Sequence, residues 1–163
     1  MKVTLMRLDT RLVHGQVCMK WSKAANANNI FVVDKQVAGN ALMEKLFKGA
    51  APSSVKLVEI YSPETMMEAY KNGTLAEGNA FILFKDVQNC YELFKLGFPF
   101  EAVDIGNQAM KPGKKQVLRE VFLSMDEYEK LKEMNDAGVN VYIQIIPEQS
   151  QYDFNTITAK MIK

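Results

Sequence analysis

The sequence predicts an α/β fold, namely a single-domain, open, mostly parallel sheet of about seven strands with helices on both faces, spanning residues 1–163. Two observations predict the fold class. Short runs rich in β-branched and aromatic residues alternate with stretches whose apolar residues recur at three- and four-residue spacing. No long linker, low-complexity tract or internal repeat interrupts the alternation. Size agrees with one domain, since 163 residues with 48% of the AVILMFWYC set can bury a core without disulfides or a structural metal.

In chain order, Val3 to Leu8 reads as the first strand, and Val13, Val17 and Trp21 mark one face of the helix that follows. Ile30 to Val33 is a second strand, followed by a helix carrying Leu42, Met43, Leu46 and Phe47. A third strand, Val55 to Ile60, precedes Ser62-Pro63, which opens a helix reaching Tyr70 because proline fits a first helical turn. Ala80 to Phe84 and the helix Asp86 to Leu96 come next, then the strand Ala102 to Ile105. The connection Asn107 to Gln116 has no helical pattern, so a reversal or an antiparallel edge strand is expected before the strand Val117 to Leu123. Ser124 with Glu127 forms a capping box for a helix Met125 to Ala137, which Gly138 ends ahead of a last strand, Val139 to Ile146. Right-handed crossovers place the strand-to-helix loops along one edge of such a sheet, so Asp34, Lys35, Lys85 and Asp86 should share that edge with the loop after the first strand. Each of the four reads as a cap or turn residue first and a rim residue second.

Several functions are excluded by composition. Twenty basic against nineteen acidic residues leave a net charge of +1, without the broad positive field of a nucleic-acid binder. Two cysteines and a start lacking an apolar leader point to a cytoplasmic protein with reduced thiols, and no stretch is long and apolar enough to span a membrane. A single histidine and no CxxC pair argue against a metal site, and no cofactor is implied. No GxGxxG follows a strand, the Lys111 to Lys115 loop lacks P-loop spacing and reads as a solvated turn, and neither Cys18 nor Cys90 has an arginine six residues on. Cys18 shares a helical face with Val17 and Trp21 and reads as a core residue.

Chemistry concentrates in Asp9 to Val17, where the first strand becomes a helix. The first amides of a helix lack partners and carry partial positive charge, which suits a phosphate or another anion. Gly15 lets the backbone approach, and Arg11 offers a planar fork for phosphate oxygens. Asp9, Gly15 and Gln16 read as support for that loop. Residues 1–23 hold Lys2, Arg7, Arg11, Lys20 and Lys23 against Asp9 alone, a local excess of +4 suited to an acidic partner surface. His14 reads either as a nucleophile that takes a phosphoryl group or as a residue capping the first helical turn. A domain that only binds a phosphorylated small molecule, without chemistry, is the alternative function.

The run RLDTRLVHGQV, Arg7 to Val17, resembles the N-terminal signature of IIB components of the sugar phosphotransferase system in the mannose/fructose/sorbose class. The resemblance extends through Ile30 to Ala38, Val103 to Val117 and Met125 to Val141. It implies an open, mostly parallel α/β sheet and the activity of a protein-N(π)-phosphohistidine–sugar phosphotransferase. By position, His14 would be the phosphohistidine and Arg11 the residue steadying the phosphoryl group. The implied partners are a IIA phosphoryl donor, membrane IIC and IID components, a sugar and further copies of the chain in a small homo-oligomer. A cytoplasmic protein held peripherally at a membrane permease follows. Two departures from the family pattern stand out: Thr10 where a second aspartate is common, and Asn107-Gln108 after Gly106 where a second glycine and a methionine are common.

Overall fold

The computed structural model describes residues 1–162. Its elements run β1 (Lys2–Asp9), α1 (Gly15–Ala24), β2 (Asn29–Val33), α2 (Ala41–Ala50), β3 (Leu57–Tyr61), α3 (Pro63–Asn72) and β4 (Asn79–Phe84). They continue with α4 (Val87–Lys95), β5 (Ala102–Asn107), β6 (Lys115–Leu118), β7 (Val121–Leu123), α5 (Met125–Asp136), β8 (Asn140–Tyr142) and α6 (Phe154–Met161). Six strands form a parallel sheet in the order β3-β2-β4-β1-β5-β8, and β6 and β7 form a separate antiparallel pair.

Alternation along the central strands sorts side chains into two cores. Ile30, Val32, Phe81 and Leu83 face one side with Cys18 and Trp21 of α1 and Phe47 of α2. Phe31, Val33, Ile82 and Phe84 face the other with Met66, Leu93, Leu131 and Ile157 of α3 to α6. Both faces of β2 and β4 are therefore covered, which explains why these strands read as unbroken apolar runs. Consecutive elements also diverge at one place: the loop after β1 leads to α1 on one face, whereas the loop after the neighbouring β4 leads to α4 on the other. Such a switch in direction opens a crevice at the C-terminal ends of the strands.

The expected segment Val117 to Leu123 is a hairpin, turned at Arg119 and Glu120, so the described residues hold eight strands, close to the seven or so expected. The reversal, expected within Asn107 to Gln116, falls instead at this turn, and β7 is tied to the end of β5 by the parallel bridge from Val121 to Gln108 and packs Val121 and Leu123 into the core. The last strand is also shorter than Val139 to Ile146, because Gln144 N–H donates to the Asp104 carboxylate at 2.7 Å instead of extending the ladder. α6 was not anticipated, although Phe154, Ile157 and Met161 at helical spacing behind Asp153 carry its signal; Asp153 caps it by accepting from Thr156 N at 3.3 Å.

The box at α5 is reciprocal: Glu127 N–H donates to Ser124 Oγ at 3.1 Å, and Ser124 N–H donates to Glu127 Oε1 at 3.0 Å. Ser124→Ala should cost about 1 kcal/mol, read as a lower denaturant midpoint with an unchanged slope.

Candidate functional site

The loop Thr10 to His14 lies at that crevice. Backbone ties fix it: Leu12 N–H donates to Asp9 O at 3.0 Å, and Thr10 N–H donates to Asn107 O at 3.2 Å. The Thr10 hydroxyl accepts from Ala109 N–H at 3.1 Å, so the residue standing in place of a second aspartate binds the loop to the end of β5. Gln108, 1% exposed, donates to Lys85 O at 3.0 Å and to Asn107 O at 2.6 Å, joining the ends of β4 and β5. The departure at 107–108 is thus a brace across the sheet edge.

His14 is the N-cap of α1, with an extended backbone, and its side chain makes no capping bond. The capping reading is therefore set aside. Its Nδ1 lies 2.8 Å from Leu12 O, and a carbonyl can only accept, so Nδ1 donates there and in the neutral imidazole the lone pair is on Nε2. Nε2 is buried without a hydrogen-bond partner among the described residues. Leu12 adopts φ +57, unusual for leucine, with its side chain anchored in the core at 2% exposure. Gly15 follows at φ +38. The first turn of α1 has neither a side-chain cap nor an acidic residue, so its amides remain open to an anion. Gln16 is exposed beside them.

Asp9 and Arg11 come together. Arg11 Nε and Nη2 donate to Asp9 Oδ1 and Oδ2 at 3.1 and 3.2 Å, and Arg11 N–H donates to Oδ1 at 3.0 Å. One edge of the guanidinium is held, Nη1 has no partner among the described residues, and the side chain is 42% exposed. Arg11 makes no hydrogen bond to His14.

Behind this pair lies Arg7, 1% exposed, which was not singled out from the sequence. Its Nη1 donates to Asp104 Oδ2 and to Gln144 O, the latter at 2.7 Å, and Nη2 donates to Ile145 O at 3.0 Å and stands 4.0 Å from Asp9 Oδ2. The guanidinium also stacks on Trp21, 4.4 Å from the ring centroid. A Cβ on Gly106 would fall 1.9 Å from the Arg7 guanidinium carbon, so only glycine fits there. Charged residues flanked by apolar ones inside two strands, Arg7 between Met6 and Leu8 in β1 and Asp104 between Val103 and Ile105 in β5, are the available signal.

The expected +4 patch does not form. Arg7 is internal, Lys2 lies at the far end of β1, Arg11 is paired with Asp9, and Lys20 reaches Glu148 at 3.5 Å. Asp34 and Asp86 do turn and cap the chain, accepting from Val37 N–H at 3.0 Å and Asn89 N–H at 2.9 Å. Lys35 pairs with Glu92 and Glu64. In the lysine-rich loop, Lys114 pairs with Glu127 at 3.0 Å, an anchored contact where a solvated turn was expected. Both cysteines are buried, and burial pushes the thiols up, away from nucleophilic use. A cleft of about 370 Å³ opens by Lys2, Thr4, Tyr70, Glu101 and Tyr142, at the opposite end of β1 from His14.

The family model for the sorbose subfamily IIB component of the phosphotransferase system matches residues 3–163. The chain belongs to that family. A sorbose-specific EIIB component of Lacticaseibacillus casei is 33% identical over 153 residues, covering 94% of this chain and 93% of the relative. The mannose-specific EIIAB component of Escherichia coli K12 is 27% identical over 163 residues, with this chain spanning 50% of its length. Among solved structures, the IIBSor domain of the sorbose permease from Klebsiella pneumoniae superposes with a TM-score of 0.92 at 29% identity, covering 100% of both chains. The protein is therefore a IIB phosphocarrier component of the sugar phosphotransferase system, and its mostly parallel sheet is the family's fold.

In this IIB component burial pushes the Asp104 carboxyl up to about 7, although Arg7 and Gln144 N–H pull it down. Between the ordinary carboxyl range and that value the folded chain holds a proton that the unfolded chain has released, so this group's contribution to stability declines as pH rises from about 4 to 7. Melting temperatures measured across that window should fall for the unsubstituted protein relative to Asp104→Asn, and the difference should level off above it.

Proposed function

We propose that His14 carries the phosphoryl group, taken from a IIA donor and passed to a sugar hydroxyl, with Arg11 steadying the group in transit. The observation that supports this reading most is the unpartnered ring nitrogen of His14 at a helix start whose amides have no side-chain cap. Imidazole attacks phosphorus without a general base: the bond from phosphorus to the donor's nitrogen breaks as the bond to His14 forms. Arg11 keeps its hold on Asp9 while its Nη1 meets the phosphoryl oxygens, so orientation is set before the group arrives.

The partners in this reading are a IIA donor, membrane IIC and IID components and further copies of the chain in a small homo-oligomer, with the single 1–163 domain held peripherally at a permease. An EIIAB component among the relatives supports the IIA donor. No described helix is long and apolar enough to cross a membrane. The chemistry supplied by His14 and Arg11 requires no metal or cofactor.

Incubation with the general phosphotransferase proteins and labelled phosphoenolpyruvate tests the reading. His14 should take acid-labile, base-stable label and His14→Ala should take none; a binding domain without chemistry would take none in either form. Arg11→Ala should lose roughly 10²-fold in transfer to sugar and Arg11→Lys less, with both melting near wild type.

Asp9 has a separable effect. Its charge offsets that of Arg11, so the phosphorylated state is not bound too tightly to be passed on. Asp9→Asn should shift the equilibrium with the donor toward labelled protein while slowing release of label to sugar.

A further inference from the structure

A buried arginine is an expensive way to fill a core, since an apolar side chain of similar volume commonly serves stability as well or better. Arg7 is almost fully buried, and its contacts converge from separate segments. Asp9 ends β1 itself, Trp21 belongs to α1, Asp104 to β5, and the carbonyls of Gln144 and Ile145 to the chain leaving β8. The backbone of Gly106 makes room for this single group. These contacts bear on both residues of the phosphoryl site. Asp9 holds Arg11 by two side-chain hydrogen bonds, and Trp21 sits on the helix whose first residue follows His14.

We propose that Arg7 is a positioning residue for phosphoryl transfer: it places Asp9, which places Arg11, and it fixes α1 beneath His14 through Trp21. The proposal rests on the reading of His14 as the phosphoryl acceptor. Lysine cannot replace it, because an ammonium lacks the plane that stacks on Trp21 and the fork that serves a carboxylate and two carbonyls at once. Arg7 touches no reacting atom. Its effect on rate therefore passes through Arg11, and the two losses should not add.

The test uses single-turnover phosphorylation of the whole chain by the phosphoenolpyruvate-driven general proteins and a phosphorylated IIA donor. Arg7→Met, Arg11→Ala and the double substitution are compared, with circular dichroism melting as the check on folding. Arg7→Met should fold cooperatively and label His14 to the same end point, but roughly ten- to a hundredfold more slowly, the cost of a misplaced group. The double variant should be no slower than Arg11→Ala alone. The Arg11 Nε–H nuclear magnetic resonance signal, shifted by its bond to Asp9, should move toward the free-arginine position in Arg7→Met and in Arg7→Lys. Should Arg7→Met fail to fold, Asp104→Asn carries the same comparison. It keeps the shape of the residue, and Arg7 is then drawn toward Asp9 in competition with Arg11, again slowing labelling without adding to Arg11→Ala. A folded Arg7 or Asp104 variant that labels at the wild-type rate, or a loss that adds fully to that of Arg11→Ala, overturns the proposal and leaves the role of His14 standing. Absence of label on His14 in the unsubstituted protein overturns both.

Discussion

A guanidinium withdrawn from water must have its donors met, and at the C-terminal edge of this sheet the surrounding chain is arranged to meet those of Arg7. Asp104 stands opposite it in β5, β8 stops after Tyr142 so that the carbonyls of Gln144 and Ile145 can turn inward, and Trp21 presents its ring face. Each of these features looks like an irregularity when taken alone: an acid in an apolar strand, a three-residue strand, a tryptophan whose indole nitrogen finds no acceptor among the described residues. Together they satisfy one buried cation. The switch in direction between β1 and β4 then sets the loop bearing His14 on top of that cluster.

Short-range pattern made most of the architecture legible. Periodicity located β1 to β5 and α1 to α5, because central parallel strands are apolar throughout and the helices have one clear apolar stripe. Ser62, Ser124 and Asp86 revealed their helix starts because a cap is a local bond between neighbours. Val117 to Leu123 misled because a tight hairpin leaves the apolar pattern on both sides of its turn unbroken. The shortening of the last strand could not be read locally, since its cause is Asp104, forty residues earlier.

The same division applies to the site. His14, Arg11, Gly15 and Asp9 stand in one short run, so their proximity is legible in the sequence itself. What was not visible is how charge is shared among them. Counting lysines and arginines over the first 23 residues treats each as a free surface charge. In the folded chain Arg7 is consumed internally and Arg11 is shared with Asp9, so the edge offers a directed pair of donors in place of a diffuse positive field. On the reading proposed for Arg11, a partly compensated arginine suits a carrier that must both accept and surrender its cargo, since it can orient oxygens without holding a dianion fast.

The empty place at Gly106 also constrains how such a chain can change over generations. While Arg7 is present, any side chain at 106 collides with the guanidinium; once Arg7 is gone, glycine there is only a gap beside two carboxylates. Each single step away from the pair thus passes through a damaged intermediate. Positions 7 and 106, ninety-nine residues apart in sequence, therefore constrain one another, and a workable change at either calls for a change at both.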